Sequence, residues 1–476
     1  MVRSWPVGLV MVILAGCSAE QSAPIPTPLP ADSSALAGTS PTPPEPSGTD
    51  SRPRLQMPLA LIVQATRPVA DVPVASARGL VAEGGTRWAA IGQSGGRMRV
   101  LTAQTGGARP VLRAVRESQD VLGIIPAEAV DPTVRVLTVG GRHPLRDPQT
   151  YPLKIASSSR RPQVTTLAAV GDVMLGRRVA RRHADNPSAP LRPLSHRLAA
   201  ADVTVGNFES TLSTDGSPTQ GGDSFAASQR VLPGLRAAGF DVLSLANNHV
   251  GDYGERALRQ TLDRFADSKI ATVGAGPNAE RARRPVILER GGVRIGFLAT
   301  DSIGESPAAT SSRPGTNRLN MPPRTGPLDR GDLRRINSDI AALARRVDTV
   351  VVLTHWGTQY THRPEPSQRI AARAFARAGA DLVLGGHPHW VQGWEMAEKA
   401  VVVHSLGNFV FDMDFQTKTR EGVLLEVVLW GGQVKAVEAV PYLIDDDFTP
   451  RLATGRRATR IVADVWGTSR GPFAVP

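Results

Sequence analysis

Cysteine is almost absent from this 476-residue chain: Cys17 stands alone. No internal disulfide framework can therefore hold the fold, and no cluster of thiolates can build a structural zinc site. Aromatic residues make up only 5% of the chain, against a formal net charge of +12. The arginines behind that charge are scattered through apparent helices instead of clustering with aromatics. That pattern reads as solvated helix faces and argues against a nucleic-acid partner. The apolar stretch Val7–Ala15 near the start is too short to span a bilayer.

That stretch has a different reading. Arg3 supplies a positive start, Val7–Ala15 an apolar core, and Leu14-Ala15-Gly16-Cys17 the end of a signal peptide over residues 1–17. The tetrapeptide resembles a bacterial lipobox, which implies cleavage before Cys17, diacylation of its sulfur, and a protein anchored by lipid on the outer face of the cytoplasmic membrane. Residues 18–54 are Pro/Ser/Thr-rich with almost no large apolar side chains, as expected of a disordered tether. Residues 55–157 alternate short β-rich runs with polar connectors and predict a small α/β domain without a convergent reactive set. His143 and Arg146 there sit in a turn-like segment and read as surface residues. Residues 163–450 form the larger domain, and 451–476 read as a C-terminal tail.

Within 163–450, apolar runs alternate with amphipathic stretches. The strand candidates are Val164–Val170, Asp202–Val205, Asp241–Leu245, Ile270–Val273, Val293–Thr300, Thr349–Leu353, Asp381–Leu384 and Ala400–His404. The helix candidates include Gly254–Ser268, Asp332–Arg346 and Ser367–Ala378. This alternation predicts a layered α/β domain with much parallel pairing. Residues 302–327 are Gly/Pro/Ser/Thr-rich and predict a long loop, a lid over the site.

In such sheets ligands bind beyond the carboxyl ends of the strands. Five runs end in polar residues: Gly171-Asp172; Gly206-Asn207-Phe208-Glu209; Asn247-Asn248-His249; His355-Trp356; and His387-Pro388-His389. Two imidazoles two residues apart on extended backbone point the same way, and Pro388 stiffens the link between them. Carboxylate, amide and imidazole donors together suit first-row divalent ions such as Mn²⁺, Fe²⁺ or Zn²⁺ better than Ca²⁺ or Mg²⁺. There are enough of them for two ions bridged by a carboxylate.

Six ordered motifs carry a resemblance: Gly171-Asp-Val-Met-Leu175, Gly206-Asn-Phe-Glu209, Leu245-Ala-Asn-Asn-His249, His355-Trp-Gly357, Gly386-His-Pro-His389 and Ser405-Leu-Gly-Asn-Phe-Val-Phe-Asp412. Over about 165–445 the chain resembles the CapA-type proteins of capsule or poly-γ-glutamate synthesis. That family belongs to the calcineurin-like metallophosphoesterases, whose fold is a four-layer α/β/β/α sandwich. The resemblance implies that Asp172, Glu209, Asn248, His355, His387 and His389 are metal ligands, with His249 as general acid and Asp252 orienting it. It departs from ordinary metallophosphoesterases at Met174, which replaces a ligand His, at Glu209 in place of an Asp, and at Val250. Gln359 and Gly386 also depart from the family's usual residues. The implied function is that of an accessory protein of capsule or poly-γ-glutamate synthesis with a phosphoesterase-like centre. It would act on a phosphoester or an anionic polymer, beside polymer synthase or export proteins. The alternative is a non-catalytic metal-binding module that guides an anionic polymer.

Overall fold

The computed structural model describes residues 55–103, 107–157 and 159–476. The signal peptide, Cys17 and the tether lie outside the described residues. The described residues form one compact unit.

Two large sheets build the main body. The first has eight strands, and its parallel centre is Val164–Val173, Val203–Phe208, Phe240–Ser244 and Ala271–Val273. The antiparallel strands Glu421–Trp430, Gln433–Ile444 and Pro450–Leu452 extend one edge. The second has six strands, with Val293–Asp301, Thr349–His355, Leu382–Gly386 and Ala400–Leu406 parallel at its centre. Side chains alternate across each strand, and the alternation sorts the core into layers. Leu167, Ala169, Val203 and Val205 of the first sheet pack with Ile295, Phe297, Val351 and Val403 of the second. On the outer face of the first sheet, Val170, Phe208 and Leu243 meet Leu198, Leu258 and Phe265 from helices. On the outer face of the second, Val350, Val352 and Val383 meet Ile336, Ile340 and Phe375. The result is the expected four-layer α/β/β/α sandwich.

Several boundaries and placements differ from expectation. Val164–Val173 runs three residues past the expected end because Asn408–Val410 pairs alongside Asp172 and Val173. The hairpin of Glu421–Trp430 and Gln433–Ile444 was not anticipated. Residues 451–476 are not a loose tail. Their helix Gly455–Trp466 buries Ile461 and Val465 in the core between the sheets, and Trp394 sits edge-on to Trp466 and Phe473 at 5.1 and 5.8 Å.

The small N-terminal domain is a five-stranded sheet centred on Leu55–Gln64, with helices Val74–Glu83 and Ala108–Glu117. It is not separated from the sandwich. Val428, Trp430 and Ala436 of the long hairpin share a core with its Ile62, Val111 and Val136, and the Trp430 indole donates to the Leu145 carbonyl at 2.7 Å.

His143 lies near this junction and is buried at 8% exposure, not on the surface as expected. Its Nδ1 accepts from the backbone N–H groups of Leu145 and Arg146 at 3.1 and 3.2 Å, so the ring must be neutral there. Burial, then the Arg146 charge, pushes its pKa down to about 4. A histidine depressed in the folded state binds fewer protons than in the unfolded chain. Its contribution is therefore complete above the unfolded value near 6.5 and is lost as pH falls toward 4. A difference of this size corresponds to roughly 3 kcal/mol. In His143→Asn the side-chain oxygen can accept the same two bonds, so urea titrations should show a flatter loss of stability between pH 6.5 and 4 than in the native protein.

Candidate metal centre

The carboxyl ends of the parallel strands of both sheets converge. Asp172 occupies the penultimate position of Val164–Val173, directly opposite Asn207 on one neighbour and Asn408 on the other. A Cβ on Gly171 would stand 1.7 Å from the Gly407 carbonyl oxygen, so only glycine lets these two segments meet. At Gly386 a Cβ would fall 2.5 Å from Asp172 Oδ1. The departure at that position thus leaves room for the carboxylate.

All eight residues expected at the site come together, and all are buried: Asp172, Glu209, Asn248, His249, Asp252, His355, His387 and His389. Two ligand sets form. Donor atoms of Glu209, His355 and His387 lie within 4.8 Å of one another, and so do those of Asp172, Glu209 and His389. Glu209 belongs to both. Asn248 adjoins the first set, with its Oδ1 2.8 Å from His355 Nε2.

Both Glu209 oxygens, His387 Nδ1 and His389 Nε2 are buried without any hydrogen-bond partner. Buried polar atoms left unpaired are costly, and four in one cluster are donors that could hold a cation. The electrostatics agree. Burial, aided by the neighbouring Glu209 charge, pushes Asp172 up to about 7, and burial pushes Glu209 up to about 8. Burial also drives His389 down to about 3 and His355 and His387 downward. Neutral imidazole is the form that binds a divalent ion, and a cation between the crowded carboxylates would favour their ionised form.

The two histidines reach the centre by a different route from the one the sequence suggested. His387 and His389 are not extended but left-handed, with φ of 90° and 57°. The His387 N–H donates to Asp172 Oδ2 at 3.0 Å, and His389 Nδ1 pairs with Asn408 Oδ1 at 2.8 Å. Left-handed backbone costs a non-glycine residue about 1–3 kcal/mol and tends to cluster at functional sites. Arg177, Glu305 and Tyr360 near the centre are left-handed as well.

His249 stands beside the ligands. Its Nδ1 is 2.7 Å from Asp252 Oδ2, and its Nε2 points inward, 3.8 Å from Glu209 Oε1. Asp252 is itself held by the Phe225 N–H at 2.6 Å and by the Gln220 amide. Phe225 stacks on the imidazole with 3.7 Å between ring centres, and the Arg177 guanidinium covers the other side of Phe225 at 4.2 Å. Arg177 is in turn paired with Asp412. Burial pushes Asp252 up to about 8 and His249 down to about 3. The short contact between the two side chains fixes the imidazole with Nδ1 on Asp252 and Nε2 toward the ligands.

Met174, where a ligand histidine was missing, is fully buried, and its sulfur accepts from the Gly176 N–H at 3.1 Å. This position gives the centre nothing. His404 is also away from it, bonded to Glu395 at 3.1 Å. The expected loop 302–327 does border the site: Glu305 accepts from the Asn248 amide at 2.8 Å and pairs with Arg324. Sequence reasoning missed the supporting roles of Asn207, Asn408, Gln220, Phe225 and Glu305. Asn207 and Asn408 lay within motifs already singled out. Gln220, Phe225 and Glu305 come from loops with no signal of their own.

The four-layer α/β/β/α sandwich is a metallophosphoesterase-like fold, and two carboxylate–imidazole clusters lie at its sheet ends. Within that class, residues 166–413 match the family described as bacterial capsule synthesis protein PGA_cap. The chain is 32% identical over 323 residues to the capsule biosynthesis protein CapA of Bacillus anthracis, covering 66% of this chain and 75% of that one. It is also 32% identical over 286 residues to the PGA biosynthesis protein CapA of Bacillus subtilis (strain 168), covering 58% and 71%. The chain belongs to this bacterial capsule synthesis family. Among solved structures, a 5'-nucleotidase from Candida albicans SC5314 aligns at 11% identity and a TM-score of 0.33, over 63% of this chain and 57% of that one. That likeness is too partial to bear on function.

Proposed function

We propose that the protein is an extracytoplasmic accessory protein of capsule or poly-γ-glutamate synthesis whose centre hydrolyses a phosphoester with two divalent transition-metal ions, Mn²⁺, Fe²⁺ or Zn²⁺. The reading rests above all on Glu209, which is common to both ligand sets and has neither oxygen hydrogen-bonded. Asp172 and His389 would hold one ion, and His355, His387 and Asn248 the other. When bound, the ions would supply Lewis-acid polarisation and neutralise the charge developing on the phosphoryl group.

The remaining residues position groups and move a proton. Asn207 orients Asp172 by donating to its Oδ1 at 2.8 Å, and Asn408 orients His389. His249 gives a proton from Nε2 to the departing oxygen, held in place through Nδ1 by Asp252. The walls that bury this pair exclude water from the transfer.

Stripping metal with a chelator should abolish hydrolysis of small phosphomonoesters and phosphodiesters, and one of the three ions should restore it. A metal-loaded protein that turns over none of them would favour a second reading. Met174, turned into the core, leaves one fewer ligand than ordinary metallophosphoesterases have. On that reading the centre binds or guides an anionic polymer within a complex with synthase or export proteins.

The lipobox-like Leu14–Cys17 carries the proposal that the protein is tethered to the cell membrane through Cys17. With Cys17→Ser, fractionation should move the protein from the membrane to the soluble extracytoplasmic fraction. Retention in the membrane would count against a lipid anchor.

A further inference from the structure

We propose that Glu305 is a positioning residue for the metal centre: it locks the Asn248 amide with Oδ1 turned toward the Glu209–His355–His387 ligand set. The proposal rests on the reading of Asn248 as a ligand.

An asparagine amide offers an oxygen on one side and an NH₂ group on the other, and only the oxygen can bind a cation. The two orientations have nearly the same shape, so a neighbour must choose between them. Glu305 Oε2 lies 2.8 Å from Asn248 Nδ2. A carboxylate only accepts hydrogen bonds, so it attracts the NH₂ group and repels the amide oxygen. Turning the amide over would bring two oxygens face to face there and point the NH₂ group at the ligands. The other Glu305 oxygen is paired with Arg324 from the far arm of the same loop, which holds the carboxylate from the solvent side.

The loop is built to deliver this carboxylate. Asp301 Oδ1 accepts from the N–H groups of Ile303 and Gly304 at 2.9 and 3.4 Å. Gly304 and Glu305 then take left-handed conformations, with φ of 89° and 65°. One residue on, Ser306 Oγ accepts from the Gly251 N–H at 2.9 Å, which fastens the loop to the turn that carries Asn248 and His249. A left-handed glutamate is uncommon, and this one points its side chain at a ligand amide.

The test is Mn²⁺ titration of the full chain by isothermal calorimetry. Loss of a residue that orients a metal ligand weakens metal affinity by about 10- to 100-fold, and this is the expected result for Glu305→Ala at one of the two ions. Glu305→Gln keeps an oxygen that can accept from Asn248, so its affinity should stay within about threefold of the native protein. Asn248→Ala should weaken the same ion, and adding Glu305→Ala to it should cause no further loss, because the glutamate acts through the amide. Glu305 is an exposed-loop residue at 29% side-chain exposure, and an unchanged melting temperature in the metal-free variant checks the fold. Unchanged affinity in Glu305→Ala beside a loss in Asn248→Ala would overturn the proposal. So would additive losses in the double variant, or a Glu305→Gln variant as weak as Glu305→Ala. Unchanged affinity in Asn248→Ala would instead remove Asn248 from the ligands, a failure of the metal reading itself.

Discussion

Glu209→Ala should remove both ions at once. Glu209 is the one residue shared by the two ligand sets, and neither of its oxygens has a protein partner. Replacing Asp172 or His387 should weaken one set and leave the other with its remaining donors. Removing Glu209 takes a donor from each, and it also takes away the negative charge that makes two adjacent cations tolerable. We expect affinity for both ions to fall by at least about 100-fold, more than is typical for residues that only orient a ligand. A stability measurement reads the same loss independently. A ligand that binds only the folded state raises stability by about 2.7 kcal/mol at a hundred times its Kd. Added Mn²⁺ should therefore raise the melting temperature of the native protein and leave that of Glu209→Ala nearly unchanged. An equal rise in both would mean that the ions bind elsewhere.

His249→Ala should separate metal binding from turnover. The imidazole touches Asp252 and Phe225, and its Nε2 approaches the ligands without being one of the two sets. Its removal should leave metal stoichiometry unchanged. Proton transfer by a positioned side chain is typically worth about 100- to 10,000-fold in rate, and phosphoester hydrolysis should fall within that range. Esters with good leaving groups should suffer least, because they need no proton on departure. A uniform loss across leaving groups, or loss of metal, would assign His249 a different role. Asp252→Asn should give a smaller loss of the same kind, since its single amide oxygen can still accept from one of the Phe225 N–H and the Gln220 amide while the carboxylate charge is gone.

The ligands were legible in the sequence because each sits at the end of an apolar run, and parallel strands of both sheets present those ends along one edge. Asp172, Glu209, Asn248, His355, His387 and His389 could be found without knowing which strands pair. The backbone that aims two of them could not. The left-handed backbone at His387 and His389 goes with a bond from the His387 N–H to Asp172, 215 residues away, and with a ring contact to Asn408 from a later strand. Phe225 and Glu305 are illegible for a similar reason: each comes from a loop whose path is set by what it lands on.

Other differences had a visible signal. Ile461 and Val465 are spaced one helical turn apart, the mark of a packed helix and not of a tail. The run Gly422–Trp430 followed by two glycines reads as half of a hairpin. His143 is the opposite case, since its surroundings include Glu426 and Glu438 from nearly 300 residues away.

The central claim is that Glu209 bridges a two-ion centre at the sheet ends. Anomalous X-ray diffraction from crystals of the Mn²⁺-loaded protein tests it most directly. Two peaks flanking the Glu209 carboxylate, one beside Asp172 and His389 and the other beside His355 and His387, are the predicted result. Metal-loaded crystals with no peak near Glu209 would contradict it.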